Sequence, residues 1–362
     1  MDLQQRVDAQ IDAALGHRLV GCVVLINKDG KQIYARAAGF ADREAKTPMR
    51  EDTIFRYASV TKPIVATAVL KMSELGLLRL DDPVTKFLPW FTPKSPDGST
   101  QPILIRQLLT HTSGLGYGSV PADVAPGLAG PIIPLDENLK RLARHPLGFA
   151  PGTGWDYGMS IDVLGGVIAT INRSSLEDVL AKYVTGPLGM ADAHFYVTDA
   201  RRLAVPYADG NPPVLAVEPG VGGPGDMGFS PSRIFNRDAP QSGGAGMAGT
   251  TGDMLKVIDV YNGHGGVLQP ATIANAIVNQ IGSISRRDQD AGKRFSYIGA
   301  VIDNATAAKS RCPVGTVDWG GAWGHNWVLD PVNRITIAVC TNTAPEGCNG
   351  PFRDDINNAV YA

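Results

Sequence analysis

Leu3, Val7, Ile11 and Leu15 recur every four residues, a spacing that lines one face of an amphipathic helix. Two β-rich runs follow, residues 19–26 and 31–39, on either side of Asn27-Lys28-Asp29-Gly30. Asp-Gly between two such runs is a strong hairpin signal, so the sheet is expected to open antiparallel, against a doubly wound nucleotide-binding fold. Residues 59–78 predict a long helix that tolerates Pro63 in its first turn and ends at Gly76 and Asp81-Asp82-Pro83. From there to about residue 240 the chain is rich in Pro and Gly. Short helices are expected at 105–109, 136–144, 160–171 and 175–184, the last with a capping box over Ser174-Ser175-Leu176-Glu177 and a Gly186-Pro187 stop. Another helix is predicted at 251–261, strands at 296–302, 316–319, 323–329 and 335–341, and a closing helix at 352–361. Strands at both ends with helices between predict an α+β chain. Residues 1–80 and 246–362 are expected to form one domain around an antiparallel sheet flanked by helices. A mainly helical domain, residues 81–245, is inserted, and the active site lies at the interface.

Composition narrows the function. The chain has 362 residues, 44% hydrophobic and 19% charged, enough for a sizeable core. Its net charge is −2 and no Lys/Arg run exceeds two residues, which argues against a nucleic-acid partner. The longest aliphatic run, residues 20–26, is interrupted by Gly21 and Cys22, so no membrane span is expected. The first residues lack the basic-then-apolar order of a secretory signal, and a cytoplasmic protein is expected. Cys22, Cys312, Cys340 and Cys348 show no C-x-x-C spacing and read as free thiols. A Cys312–Cys348 or Cys340–Cys348 bridge is the alternative.

Three stretches carry candidate chemistry. Ser59-Val60-Thr61-Lys62 is the single Ser-x-x-Lys in the chain. The strand-like residues 55–58 feed into the helix, which puts Ser59 at its amino terminus, where the dipole favours developing negative charge. Lys62, three residues on, shares a face with Ser59. It serves as a base if burial and nearby positive charge lower its pKa. The same four residues also read as an N-cap serine beside a solvated lysine. Tyr157, after the Pro151-Gly152 turn, is a phenol that could shuttle a proton, or a packing residue. Trp319-Gly320-Gly321-Ala322-Trp323-Gly324-His325 reads as a strand edge open to a ligand, with an N–H free for an oxyanion, or as a β-bulge. Gly244-Ala245-Gly246-Met247-Ala248-Gly249 matches the dinucleotide glycine pattern but follows no strand and lacks the acidic residue about twenty positions on.

These motifs, with residues 52–63, 108–115, 162–165, 187–190 and 242–247, resemble the serine β-lactamase and penicillin-binding protein superfamily, and within it the family VIII carboxylesterases. The resemblance runs from about residue 10 to the end. It implies a β-lactamase/DD-peptidase-like fold with Ser59 as nucleophile, Lys62 and Tyr157 as its proton-transfer partners, and the amides of Ser59 and Ala322 as the oxyanion hole. Trp319, Gly320, Gly321, His325, Tyr117 and Met159 are the expected substrate-binding residues. Met159 stands where a lactamase has the asparagine of Tyr-x-Asn, Trp319 stands where it has a lysine, and Gly158 departs from the serine expected in these esterases. The implied activity is hydrolysis of uncharged short-to-medium acyl esters, with weak or no β-lactamase activity and no metal or organic cofactor. A small-molecule ester is the expected partner. A β-lactamase or D-peptidase, an acyltransferase, and a catalytically silent binding module are the alternatives. Arg36, Arg56 or Arg353 reaching the cleft would supply a charge that Trp319 does not.

Overall fold

The computed structural model describes residues 1–286 and 291–362. Helix α1, Leu3–Ala14, starts on a capping box between Asp2 and Gln5 and buries Val7, Ile11 and Ala14. Strands β1 (Gly21–Lys28) and β2 (Lys31–Asp42) form the expected hairpin. Its turn residues Asp29 and Gly30 have φ of 52° and 70°, the left-handed pair that a type I′ turn requires. After β3 (Thr47–Pro48) comes β4 (Ile54–Arg56), a 3₁₀ turn at Ala58–Val60, and α2 (Thr61–Glu74). Every residue of α2 from Thr61 to Leu70 is buried, so this helix is central and not amphipathic.

The middle of the chain supplies α3 (Ile105–Leu109), α4 (Leu135–Leu142), α5 (Ser160–Asn172) and α6 (Leu176–Leu180), which runs on as a π-helical turn, Ala181–Thr185. The cap of α6 falls one residue later than expected: Ser175, not Ser174, accepts the Asp178 amide. Short strands β5 (Tyr207–Ala208) and β6 (Val214–Leu215) follow, then β7 (Ala248–Thr250), α7 (Thr251–Asp259) and α8 (Pro270–Ala276). No helix was expected at α8. Of the expected strand 296–302 only the end forms, as β9 (Ala300–Ile302), and it pairs with β8 (Lys293–Phe295), which precedes the expected run. Ser296 Oγ accepts from the amides of Ile298 and Gly299, and this turns the chain between them. Strands β10 (Val317–Gly321), β11 (His325–Asp330), β12 (Ile335–Thr341) and β13 (Thr343–Ala344) precede α9 (Glu346–Asn349) and α10 (Pro351–Val360).

The eight-stranded sheet runs β3-β2-β1-β12-β11-β10-β9-β8, antiparallel throughout, with the carboxy-terminal strands joined to the first hairpin through β1 and β12. Strand alternation divides its side chains between two cores. Val24, Val328 and Val339 pack with Val7, Ile11, Phe352 and Ile356 of α1 and α10. Val23, Leu25, Trp327 and Ala338 face α2, α5 and α7. Strand β9 pairs with β10 only at Val317 and Asp318, which leaves the outer edge of Trp319–Gly321 unpaired beside the start of α2. All four cysteines are free thiols. No helix among the described residues is long and apolar enough to cross a membrane.

Candidate active site

Ser59 sits on the turn between β4 and α2. Strand β4 is held by β7, and Tyr57 anchors the turn with its amide on Met247 O at 2.8 Å and its hydroxyl on Thr250 O at 2.5 Å. Ala58 has φ of 47°, a left-handed conformation that costs energy for a residue with a Cβ and that the surrounding anchors maintain. Strand β10 approaches this turn so closely that a Cβ on Gly321 would strike Tyr57 O. Glycine at 321 is therefore required for the edge of β10 to lie beside Ser59.

Lys62 is 4% exposed. Its Nζ donates to Ser59 Oγ at 3.3 Å, Tyr117 Oη at 3.2 Å and Gly244 O at 2.7 Å, and lies 4.5 Å from the centre of the Tyr157 ring. The expectation of a lowered lysine pKa is reversed. Burial works to lower it, but Tyr117, Tyr157 and the Asp162 carboxylate together outweigh burial, and the net displacement is upward. Lys62 is an ammonium at neutral pH. Burial raises the Tyr117 pKa, and Lys62 opposes that rise.

Tyr157 Oη accepts the Trp319 indole N–H at 3.0 Å, and its ring stacks on Trp155 and lies against Trp319 and His111. Ser59, Tyr157, Trp319, Gly320 and Ala322 line one cavity of about 400 Å³. Neither the Ser59 nor the Ala322 amide donates to another described residue, so both are available to an oxyanion. Tyr117 reaches the cluster through Lys62. His325 and Met159 do not line the cavity. His325 is buried with Nε2 on Arg56 O at 2.7 Å, and burial lowers its pKa to about 4. Met159, the residue that precedes α5, is fully buried in the core.

The cavity wall also carries cations. Arg286 lies over the rings of Trp155, Phe295 and Trp319, Lys293 pairs with Asp318 at 2.6 Å, and Arg353 pairs with Asp354 at 2.9 Å. Arg36 is instead held on α1 by Asp8 and Asp12, and Arg56 is buried on the carbonyls of Pro231 and Ala204. Sequence reasoning missed Asp162, His111 and the Gly244 carbonyl. All three lie within the motifs that carry the resemblance, but no local spacing links them to Ser59.

A beta-lactamase family model matches residues 4–359. Esterase EstB of Burkholderia gladioli is 43% identical over 375 residues, which cover 99% of this chain and 95% of that protein. The solved structure of EstCE1, described as a hydrolase with promiscuous acyltransferase activity, superposes with a TM-score of 0.91 at 38% identity, covering 99% of this chain and 98% of that one. Simvastatin synthase from Aspergillus terreus has the same fold, with a TM-score of 0.77 at 21% identity over 100% of this chain and 98% of its own.

Proposed function

The chain belongs to the beta-lactamase family and is a serine hydrolase, and within that family we propose that it is a carboxylesterase acting on uncharged esters of short to medium acyl length. The observation that carries this reading is the convergence of Ser59, Lys62 and Tyr157 beside the Trp319 edge of β10. The ester carbonyl oxygen sits between the amides of Ser59 and Ala322, each donor contributing about 3–4 kcal/mol to the transition state. Tyr157 is the general base, its oxygen held by the Trp319 N–H and its ring beside the Lys62 ammonium. It takes the Ser59 proton as Oγ attacks and returns that proton to the leaving alcohol. Water then opens the acyl-enzyme by the same path in reverse. A panel of p-nitrophenyl esters of rising acyl length, run beside nitrocefin, tests the assignment. Ester turnover that persists in Ser59→Ala, or nitrocefin turnover matching the best ester, would sink it.

A second reading has support of its own. The aromatic rings of Trp155, Tyr157 and Trp319 on the cavity wall favour an organic alcohol over water as acyl acceptor. The relative EstCE1 is described as having promiscuous acyltransferase activity. Added alcohol would divide the product between free acid and new ester if acyl transfer occurs.

A further inference from the structure

One carboxylate lies in the apolar surroundings of Lys62. Asp162, in the first turn of α5, is fully buried. Its Oδ1 accepts Ser242 Oγ at 2.5 Å and the Gly244 amide at 3.3 Å. Its Oδ2 has no hydrogen-bond partner among the described residues. That oxygen lies against the Cα of Gly244, where a side chain would strike it and would come within 3.3 Å of the Tyr117 hydroxyl. The Gly244 carbonyl is the group that receives Lys62 Nζ at 2.7 Å. A single glycine therefore carries the carboxylate on its amide side and the ammonium on its carbonyl side.

A carboxylate oxygen buried without a hydrogen bond persists where a cation compensates it. Two cations lie within range of Asp162, Lys62 and Arg233, and Arg233 donates to Pro240 O at 3.3 Å. The other groups that face Lys62 are Ser59, Tyr117, Tyr157 and, further off, His111, whose imidazole burial keeps neutral. None of these is a carboxylate.

We propose that Asp162 is a positioning residue for Lys62. Its carboxylate adds a negative charge on the lysine's side of Gly244, beside the two tyrosines, and through Ser242 and Gly244 it fixes the carbonyl that tethers Nζ beside Ser59. The consequence for turnover rests on the reading of Ser59 as nucleophile, whereas the charge on Lys62 can be measured without it. With the lysine held positive, the acceptor of the serine proton is a tyrosine oxygen.

Asp162→Asn keeps Oδ1 and both of its hydrogen bonds and removes the charge. Ser242→Ala removes one hydrogen bond and keeps the charge. The ¹³Cε resonance of Lys62 in lysine-labelled protein, assigned with Lys62→Arg, reports the charge directly. In the wild type it should keep its ammonium shift to the highest pH the fold tolerates. In Asp162→Asn the titration should fall by about one pH unit or more. The pH profile of kcat/KM for p-nitrophenyl butyrate should move with it, and kcat at pH 7 should drop about tenfold. Ser242→Ala should cost activity without moving the titration. An unmoved lysine in Asp162→Asn overturns the proposal, and so does an equal shift in Ser242→Ala, which would assign the effect to the turn. Asp162→Ser repeats the measurement should the asparagine variant fail to fold by circular dichroism. Absence of Ser59-dependent esterase activity would defeat the proposed function and leave the lysine titration to decide on Asp162.

Discussion

His111 encloses Tyr157 from three directions. Its carbonyl accepts the Asp156 amide at 3.1 Å, its Nδ1 accepts the Gly158 amide at 3.3 Å, and its ring lies 4.6 Å from the Tyr157 ring. Burial, reinforced by the charges of Lys62 and Arg286, holds the imidazole well below its ordinary pKa. A neutral ring is what Nδ1 needs in order to accept a hydrogen bond. The backbone of His111 is left-handed, with φ of 57°, so the site accepts the strain of a residue with a Cβ to keep this arrangement.

Asparagine tolerates that backbone and presents a short-range acceptor, and alanine provides no acceptor. His111→Ala is therefore expected to lower kcat about 10²-fold by loosening Tyr157, with KM little changed. His111→Asn should lose less than tenfold. Equal losses in both variants would show that the Gly158 hydrogen bond does not position the tyrosine. Steady-state kinetics on p-nitrophenyl butyrate, with thermal melting to confirm folding, make the comparison.

Lys62 and Tyr157 are expected to act as one unit. Lys62→Ala and Tyr157→Phe should each cost orders of magnitude in turnover, and the double variant far less than their product, because groups that act together are not additive. Tyr117→Phe separates the two tyrosines. Tyr117 shares the lysine but does not line the cavity with Ser59, so its loss should cost about tenfold, consistent with one hydrogen bond to a charged group. A Tyr117→Phe loss larger than that of Tyr157→Phe would exchange their roles.

Much of this site was legible in the chain. Asp29-Gly30 announced its hairpin because few residues adopt left-handed φ cheaply, and both residues do so here. Ser59 and Lys62 were legible because three residues at a helix start fix their relative position. The charge on Lys62 was misread for a physical reason. Its sequence neighbours Ile64, Val65 and Ala66 suggest desolvation alone, whereas the groups that reverse the shift, Tyr117, Tyr157 and Asp162, arrive from 55 to 100 residues away. His325 looked like a ligand-facing histidine beside a glycine run, yet its side chain points into the Phe55 layer. Alternation along the strand was not enough to choose between the two cores.

His194 ties the loop after α6 to the start of that helix. Its Nδ1 meets Glu177 Oε1 at 2.5 Å, and Glu177 Oε2 accepts the Phe195 amide at 2.9 Å. The Glu177 hydrogen bond, ahead of opposing burial, raises the histidine pKa above its ordinary value. The stabilisation is fully present below the unfolded pKa of about 6.5 and is lost as pH rises through the raised folded value. His194→Gln should therefore be less stable than wild type by a margin that is largest near pH 6 and shrinks toward pH 9. Denaturant midpoints of both proteins at the two pH values measure it. A margin that grows with pH would refute the pairing.

Trp319 is expected to set substrate choice by two separable means. Its N–H holds the Tyr157 hydroxyl, and its ring presents an uncharged surface on the open edge of β10. β-Lactams carry a carboxylate beside the scissile amide. Against this indole such a carboxylate would lose hydration without gaining a charge-assisted partner. Lys293 and Arg353 stand on the same wall but are already paired with Asp318 and Asp354, and Arg286 is stacked on the aromatic rings. A neutral acyl chain gains instead, at about 0.8 kcal/mol per buried methylene. The wild-type enzyme should favour p-nitrophenyl butyrate over nitrocefin by about a thousandfold or more in kcat/KM, roughly 4 kcal/mol in transition-state binding. Trp319→Phe keeps the ring and removes the N–H, so it should lower kcat about tenfold with the preference intact. Trp319→Lys removes both and adds a cation, so the preference should narrow, through lost ester turnover and tighter binding of anionic substrates. Comparable kcat/KM for the two substrates in the wild type would sink the argument. A Trp319→Phe variant that loses the preference would show that the N–H, and not the uncharged ring, governs selectivity.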